Sequence, residues 1–229
     1  MPWEKQFDAG KVLDKAMQAF WSRGYEATSM QDLVACTGIN RASLYATYGD
    51  KHALFLASLR MFAETVHHQR LADLEATHGP REAIRQSLLA FVPQESAKKA
   101  ARGCFLTNTA LELAAHDPEV GRVVAQAQKQ TEAWYARMIK KGKALGEIGP
   151  EVKPAEAAGA LLACLIGVSV LSRSRPERAL LHAIVDDAMR RLTLVKFFCS
   201  SVERSFRTQG EPHENATDAD VTGEAVRGS

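Results

Sequence analysis

The feature that most constrains this chain is the stretch from Thr28 to Lys51, TSMQDLVACTGINRASLYATYGDK. It holds two short helical patterns joined by a tight turn. Ser29 can accept from the Asp32 backbone amide while Asp32 reaches back, the reciprocal cap that starts a helix, and an acid suits that positive helix end. Gly38 permits positive φ in the turn Thr37-Gly38-Ile39, and Ile39 is expected to plug the core between the two helices. Asn40 then caps a helix from Arg41 to Tyr48, whose Leu44 and Tyr48 stack at i and i+4 and give it an anchored side. Arg41, Ser43, Tyr45 and Thr47 are left nearer the outside, Gly49 ends the helix, and Asp50 caps the next one, which Lys51 opens. A helix anchored on one side and polar on the other, set behind such a turn, is what reading a DNA groove requires.

The surrounding chain is helical throughout by its periodicity. Aliphatic residues and Ala dominate, and dense alternating Val/Ile/Thr runs are absent, so an all-α fold is expected. Asp8 to Arg23 carries an apolar stripe through Val12, Leu13, Ala16, Met17, Phe20 and Trp21, and Gly24 stands just past its end. With 229 residues, 46% of them hydrophobic, the chain can bury a real core in one large domain or two small ones.

Residues Asp8 to Phe55 resemble the DNA-binding domain of the TetR family of bacterial transcriptional regulators. The likeness rests on a long first helix ending in Gly-Tyr, a Thr/Ser-capped second helix and the Gly-Ile turn. After these come Asn-Arg-Ala-Ser-Leu-Tyr-x-x-Tyr and the closing Asp-Lys-x-x-Leu. Val34, Thr37 and Tyr48 depart from the commoner residues of the family. The resemblance implies an N-terminal three-helix, homeodomain-like helix-turn-helix domain, followed by a larger helical domain for ligand binding and dimerisation. Residues 1–51 and 52–207 are assigned to these two domains. Residues 208–229, with five acids against one base, read as a disordered acidic tail.

The resemblance implies phosphate contacts by Thr28, Tyr48 and Lys51 and base contacts from the third helix. The candidate DNA-contacting set is therefore Thr28, Ser29, Asn40, Arg41, Ala42, Ser43, Tyr45, Thr47, Tyr48 and Lys51. Arg41 is the best reader of guanine, because a guanidinium can pair bidentately with O6 and N7. Residues 1–51 balance six bases against six acids, so binding must rest on placed groups and helix ends rather than on a basic patch.

Downstream, Ala53 to His78 reads as a long fourth helix with Phe55, Leu59, Phe62 and Val66 in one apolar stripe. Gly79-Pro80 breaks it, Arg81 to Val92 follows, and Pro93 to Gly103 reads as an exposed polar connection. Asp117-Pro118 is a helix start signal for a segment reaching about Leu145. After Pro154, Ala155, Gly159, Ala163 and Gly167 recur every four residues, a smooth strip that permits close helix approach. That helix and the last one, which carries Leu180, Leu181, Ile184, Val185, Ala188, Met189 and Leu192, are expected to pair with their copies in a homodimer. The apolar run Ala157 to Leu171 reads as too short and too rich in Ala and Gly to cross a membrane.

A pocket for a small apolar or amphipathic effector is expected among the fourth to eighth helices, drawing on Phe91, Cys104, Phe105, Asn108, Leu111, Glu112, Trp134, Tyr135 and Cys164. Cys104 also stands at an expected helix N-terminus near Lys98, Lys99 and Arg102, where a thiol pKa can fall, which raises a thiol-sensing alternative. The four cysteines match no zinc or CxxC spacing, and no cofactor is called for. The first residues lack an apolar leader core, so the expected location is the cytoplasm, with no membrane partner. No Gly-x-Ser-x-Gly, phosphate loop, His-Glu-x-x-His or dinucleotide fingerprint appears, which disfavours a helical enzyme. The leading expectation is a homodimeric repressor released from a double-stranded DNA operator by its effector.

Overall fold

The computed structural model describes residues 8–93 and 102–193, and these residues contain helices and turns but no strand. The expected polar connection after Pro93 falls mainly outside them, and the acidic tail wholly so. The described residues belong to one compact unit.

Local sequence sets most helix ends. α1 (Ala9–Arg23) starts on Asp8, whose carboxylate accepts from the Gly10 and Lys11 amides. It stops at Gly24, whose φ of 89° no other residue takes comfortably. α2 (Met30–Thr37) has the full reciprocal cap between Ser29 and Asp32, and Gly38 closes it in the left-handed conformation. α3 (Arg41–Tyr48) is capped by the Asn40 side chain, which accepts from the Ser43 amide at 2.8 Å. α4 (Lys51–Met61) is capped by Asp50.

The long fourth helix is not one regular helix. After α4 the chain makes a π-helical turn, Phe62–His68, and resumes as α5 (Gln69–Thr77). The turn shifts the apolar stripe by one residue. A regular i+4 step from Phe62 would bury Val66, but the wider i+5 step buries His67 and leaves Val66 37% exposed. His67 Nε2 then lies 2.8 Å from the Thr131 hydroxyl on the facing helix.

α6 (Pro80–Leu89), α7 (Phe105–Glu112) and α8 (Pro118–Ala144) follow. Proline at the first position starts α6 and α8, and Asp117 caps α8 as its Asp-Pro signal requires. α9 (Pro154–Ser174) and α10 (Arg178–Arg190) complete the body. At 21 residues α9 is longer than the sequence run suggested and could cross a bilayer by length and composition alone. Here it packs along α8 and α10, burying Ala158, Leu161, Leu165 and Val168.

The core falls into two clusters, and their division does not follow residue 51. One joins Val12, Phe20, Leu33 and Leu44 of the first three helices to Phe55 and Phe62, and also to Phe105 of α7 and Val120 and Val124 of α8. The other fills the space among α6, α9, α10 and the rest of α8, around Ile84, Tyr135, Leu161 and Val185. The N-terminal helices therefore share their core with the start of the C-terminal body.

Candidate nucleic-acid interface

α3 keeps Leu44 buried and turns Asn40, Arg41, Ala42 and Tyr45 outward, with Ser43 and Thr47 half-buried at its flanks. Arg41 and Tyr45 meet one turn apart: a guanidinium nitrogen donates to the Tyr45 hydroxyl at 3.2 Å, and the cation lies 5.4 Å from the ring centre. The surface thus offers one cation and several hydroxyl and amide groups within two helical turns, suited to base edges or phosphates. The first amides of α2 and α4 have no partner within their own helices and flank this surface as anion-attracting ends.

The flanking candidates behave less uniformly. Ser29 is exposed at the start of α2, and its hydroxyl lies 2.6 Å from Asp32. Hydrogen bonds from the Ser29 side chain and backbone, then Arg23, hold the Asp32 carboxyl down at about 2. Lys51 places its ammonium 4.2 Å over the Tyr25 ring. Tyr48 donates its hydroxyl to the Ala9 carbonyl at 3.0 Å, so it braces α3 against the start of α1. Thr28 departs from its expected part as a phosphate clamp. It is fully buried, and its hydroxyl donates to the Gly24 carbonyl at 2.6 Å, because the chain must close the α1–α2 turn there.

The candidate effector residues separate into four places. Phe91 lines a cavity of about 750 Å³ between α1, α5, α6 and α10. Phe105, Asn108, Leu111 and Glu112 border a smaller hollow beside α1. Cys164 lies in a groove between α9 and α10. Cys104, Trp134 and Tyr135 are buried in the core and line none of these spaces.

Four of these expectations need correction, and the first is Trp134, which at 3% exposure is a core residue lining none of these spaces. Tyr135 hydrogen-bonds Ser87 at 2.9 Å with its ring fully enclosed, so it is a core residue. Leu111 is 70% exposed, at the rim rather than inside a pocket. Cys104 does stand at the N-terminus of α7, but burial pushes its thiol pKa up, outweighing the amides of Leu106 and Thr107 and the nearby Arg70. Lys98 and Lys99, invoked to lower it, lie outside the described residues. Among the described residues no group of three His, Cys, Asp or Glu is placed to hold a metal.

Glu112 has a different position from the one expected. Its carboxylate accepts from the Tyr25 amide at 3.2 Å and the Glu26 amide at 3.0 Å, gripping the turn between α1 and α2 from the body. A side chain on Gly24 would collide with it at 2.9 Å. Tyr25 in turn carries the Lys51 ammonium on its ring. A second tether joins His52 Nε2 to Asp117 at 2.5 Å, where the Val120 amide and then the His52 ring hold the Asp117 carboxyl low. A third runs from the Trp21 indole N–H to the Gly103 carbonyl at 3.2 Å. Sequence reasoning missed these pairings because the partners are 65 to 87 residues apart. Only the Asp117-Pro118 cap left a visible mark.

An exposed polar helix behind a tight turn, flanked by the N-termini of α2 and α4, defines a helix-turn-helix DNA-binding protein. Residues 12–58 match the model of bacterial regulatory proteins of the tetR family, and residues 80–188 match a tetracyclin repressor-like C-terminal domain. The uncharacterized helix-turn-helix regulator YezE of Bacillus subtilis is 37% identical over 147 residues, covering 64% of this chain and 76% of that protein. The repressor ComR of Escherichia coli is 29% identical over 187 residues, covering 81% of this chain and 89% of its own. The regulator CifR, solved as a cysteine mutant with a 26 bp double-strand operator DNA, is 27% identical at a TM-score of 0.70, covering 81% of this chain and 97% of that one. The chain belongs to the TetR family and is a DNA-binding transcriptional regulator.

Proposed function

We propose that the protein is a homodimeric repressor that reads a double-stranded operator with two copies of α3 and is released by a small-molecule effector. The observation that carries this reading is the attachment of the reading unit. The body holds the α1–α2 turn through Glu112 and the start of α4 through Asp117. A change in the body therefore moves the two helix ends that flank α3. An effector favouring a state with those tethers shifted would lower the population able to bind DNA.

In this reading Arg41 contacts bases, with Asn40, Ala42, Ser43, Tyr45 and Thr47 along the groove. Ser29 and Lys51 clamp phosphates, and Thr28 and Tyr48 hold the frame. Residues 1–51 supply recognition, while residues 52–207 sense and dimerise. The second copy is held through α9 and α10. Ala155 and Ala163 are exposed, Gly159 and Gly167 are half-buried, and a Cβ on Gly167 would meet nothing within 4 Å. The smooth strip thus faces away from the chain's own core and is open to a partner helix. The names of ComR as a repressor and of CifR as an operator-bound regulator support the same reading. It places the protein in the cytoplasm and gives it no catalytic role.

Selection of bound sequences from random duplex DNA tests this directly. A palindromic consensus bound by a dimer, with affinity falling steeply as salt rises, is the expected result. A monomer bound without sequence preference would overturn it.

A further inference from the structure

The 750 Å³ cavity has an unusual lining. Arg70 of α5, Arg102 ahead of α7 and Arg178 of α10 all border it, with His182 one turn beyond Arg178, and no aspartate or glutamate lines it among the described residues. Among the described residues the three guanidiniums are held only by neutral groups: Arg70 donates to the Ser87 carbonyl, Arg178 to the Pro93 carbonyl and Arg102 to Gln18. Arg70 Nε is buried and has no acceptor among the described residues. A donor in that position costs stability unless something completes its hydrogen bonds. Leu74, Leu89, Phe91 and Trp21 give the rest of the wall its apolar and aromatic surface, and Gln86 and Ser172 add neutral polar groups. The volume suits a drug-sized ligand.

We infer that this cavity is the effector site and that its natural class of ligand is an organic anion with an apolar body, its acid group held by Arg70 and Arg178. This rests on the effector-released reading above and narrows it. A carboxylate can take two parallel N–H donors from one guanidinium, which would satisfy Arg70 Nε, while the hydrocarbon or aromatic body lies against Phe91, Leu74 and Leu89. Burial already weighs against the Arg70 charge, so an anion relieves an existing cost. The site also adjoins the reading unit. Trp21 belongs to α1, and its indole bonds the carbonyl of Gly103, a residue of the same wall. A body pressed into this space meets α1 without an intermediary.

The test uses the full chain with decanoate, decanol and decylamine as matched probes, followed by benzoate and naphthoate, with binding read by calorimetry. Decanoate or one of the aromatic acids should bind at least about tenfold more tightly than the alcohol, and the amine should be weaker still. Arg70→Gln and Arg178→Gln should each remove about tenfold of acid affinity while leaving alcohol binding unchanged. Retained alcohol binding and an unchanged circular dichroism spectrum show that each variant is folded; Arg178, half-buried, is the safer of the two. Equal affinity for acid and alcohol, no binding by any acid, or acid affinity indifferent to both substitutions would overturn the proposal. Release of selected operator DNA is measured separately. Acid binding that leaves DNA bound would sink the release reading and spare the anion site. Release by decanol but not by the acids would do the reverse.

Discussion

Replacing Phe105 by Ala tests whether the reading unit and the body share a core. Phe105 is 2% exposed and edge-on to Phe55 at 5.8 Å and to Phe62 at 5.5 Å between ring centres. Its removal forfeits about 2 kcal/mol of transfer free energy. If the rings stay in place, a void on the order of 100 Å³ adds about 2 kcal/mol more at roughly 24 cal/mol per Å³. The total, about 4 kcal/mol, corresponds to a Tm about 8–16 °C lower for a unit of this size. Scanning calorimetry should show one cooperative transition moved as a whole, and hydrogen exchange should speed up in α1 and α4 as well as in α7. Leu111→Ala, on the same helix but 70% exposed, should stay within about 0.5 kcal/mol of wild type. Two separated transitions, with the N-terminal helices melting at their original temperature, would refute the shared-core argument.

Arg41→Ala should cost about 1–3 kcal/mol of operator affinity and relax preference at one position; equal losses on every sequence would make it a backbone contact. His67 gives the fold an acid sensitivity. Burial, with Arg70 and His68 nearby, lowers its pKa from 6.5 to about 4, so the unfolded chain takes up the proton first as pH falls. Stability is full above pH 6.5 and declines toward pH 4, by up to about 3 kcal/mol, and His67→Gln should flatten that part of the Tm-against-pH curve. Parallel curves for the two proteins would contradict this. Alkylation of the native protein should modify exposed Cys36 on the order of 100-fold faster than buried Cys104, and operator binding should survive modification of Cys36. Rapid labelling of Cys104 would restore the thiol-sensing alternative. Glu112→Ala removes both acceptors on the α1–α2 turn, and should weaken the response of DNA binding to effector more than it changes Tm.

What could be read from the sequence was local. The Ser29–Asp32 cap, the Gly38 turn, the Asn40 cap and the Asp117-Pro118 start depend on residues within a few positions of each other, and all four took their expected form. Of the residues its periodicity put outside α3, Arg41 and Tyr45 are exposed, while Ser43 and Thr47 are half-buried. Where the reading failed, a distant partner or a register change decided the outcome. One π-helical turn sufficed to exchange Val66 for His67 on the inner face. Cys104 had the helix end expected of it, yet enclosure by residues from other helices outweighed that end. Glu112 looked like a polar group for a ligand because nothing in its neighbourhood reveals the Tyr25 and Glu26 amides it holds.

The shared core also limits how such a regulator can be rebuilt. A chimera cut at residue 51 would carry Val12, Phe20, Leu33 and Leu44 to a new body and leave Phe55, Phe62, Phe105 and Val124 behind. Neither half would keep the surface it was fitted to. A transplant of DNA specificity that preserves folding must exchange the outward face of α3 alone, or carry α4 and the start of the body with it. In this chain recognition is exchangeable by point substitution and resistant to modular recombination.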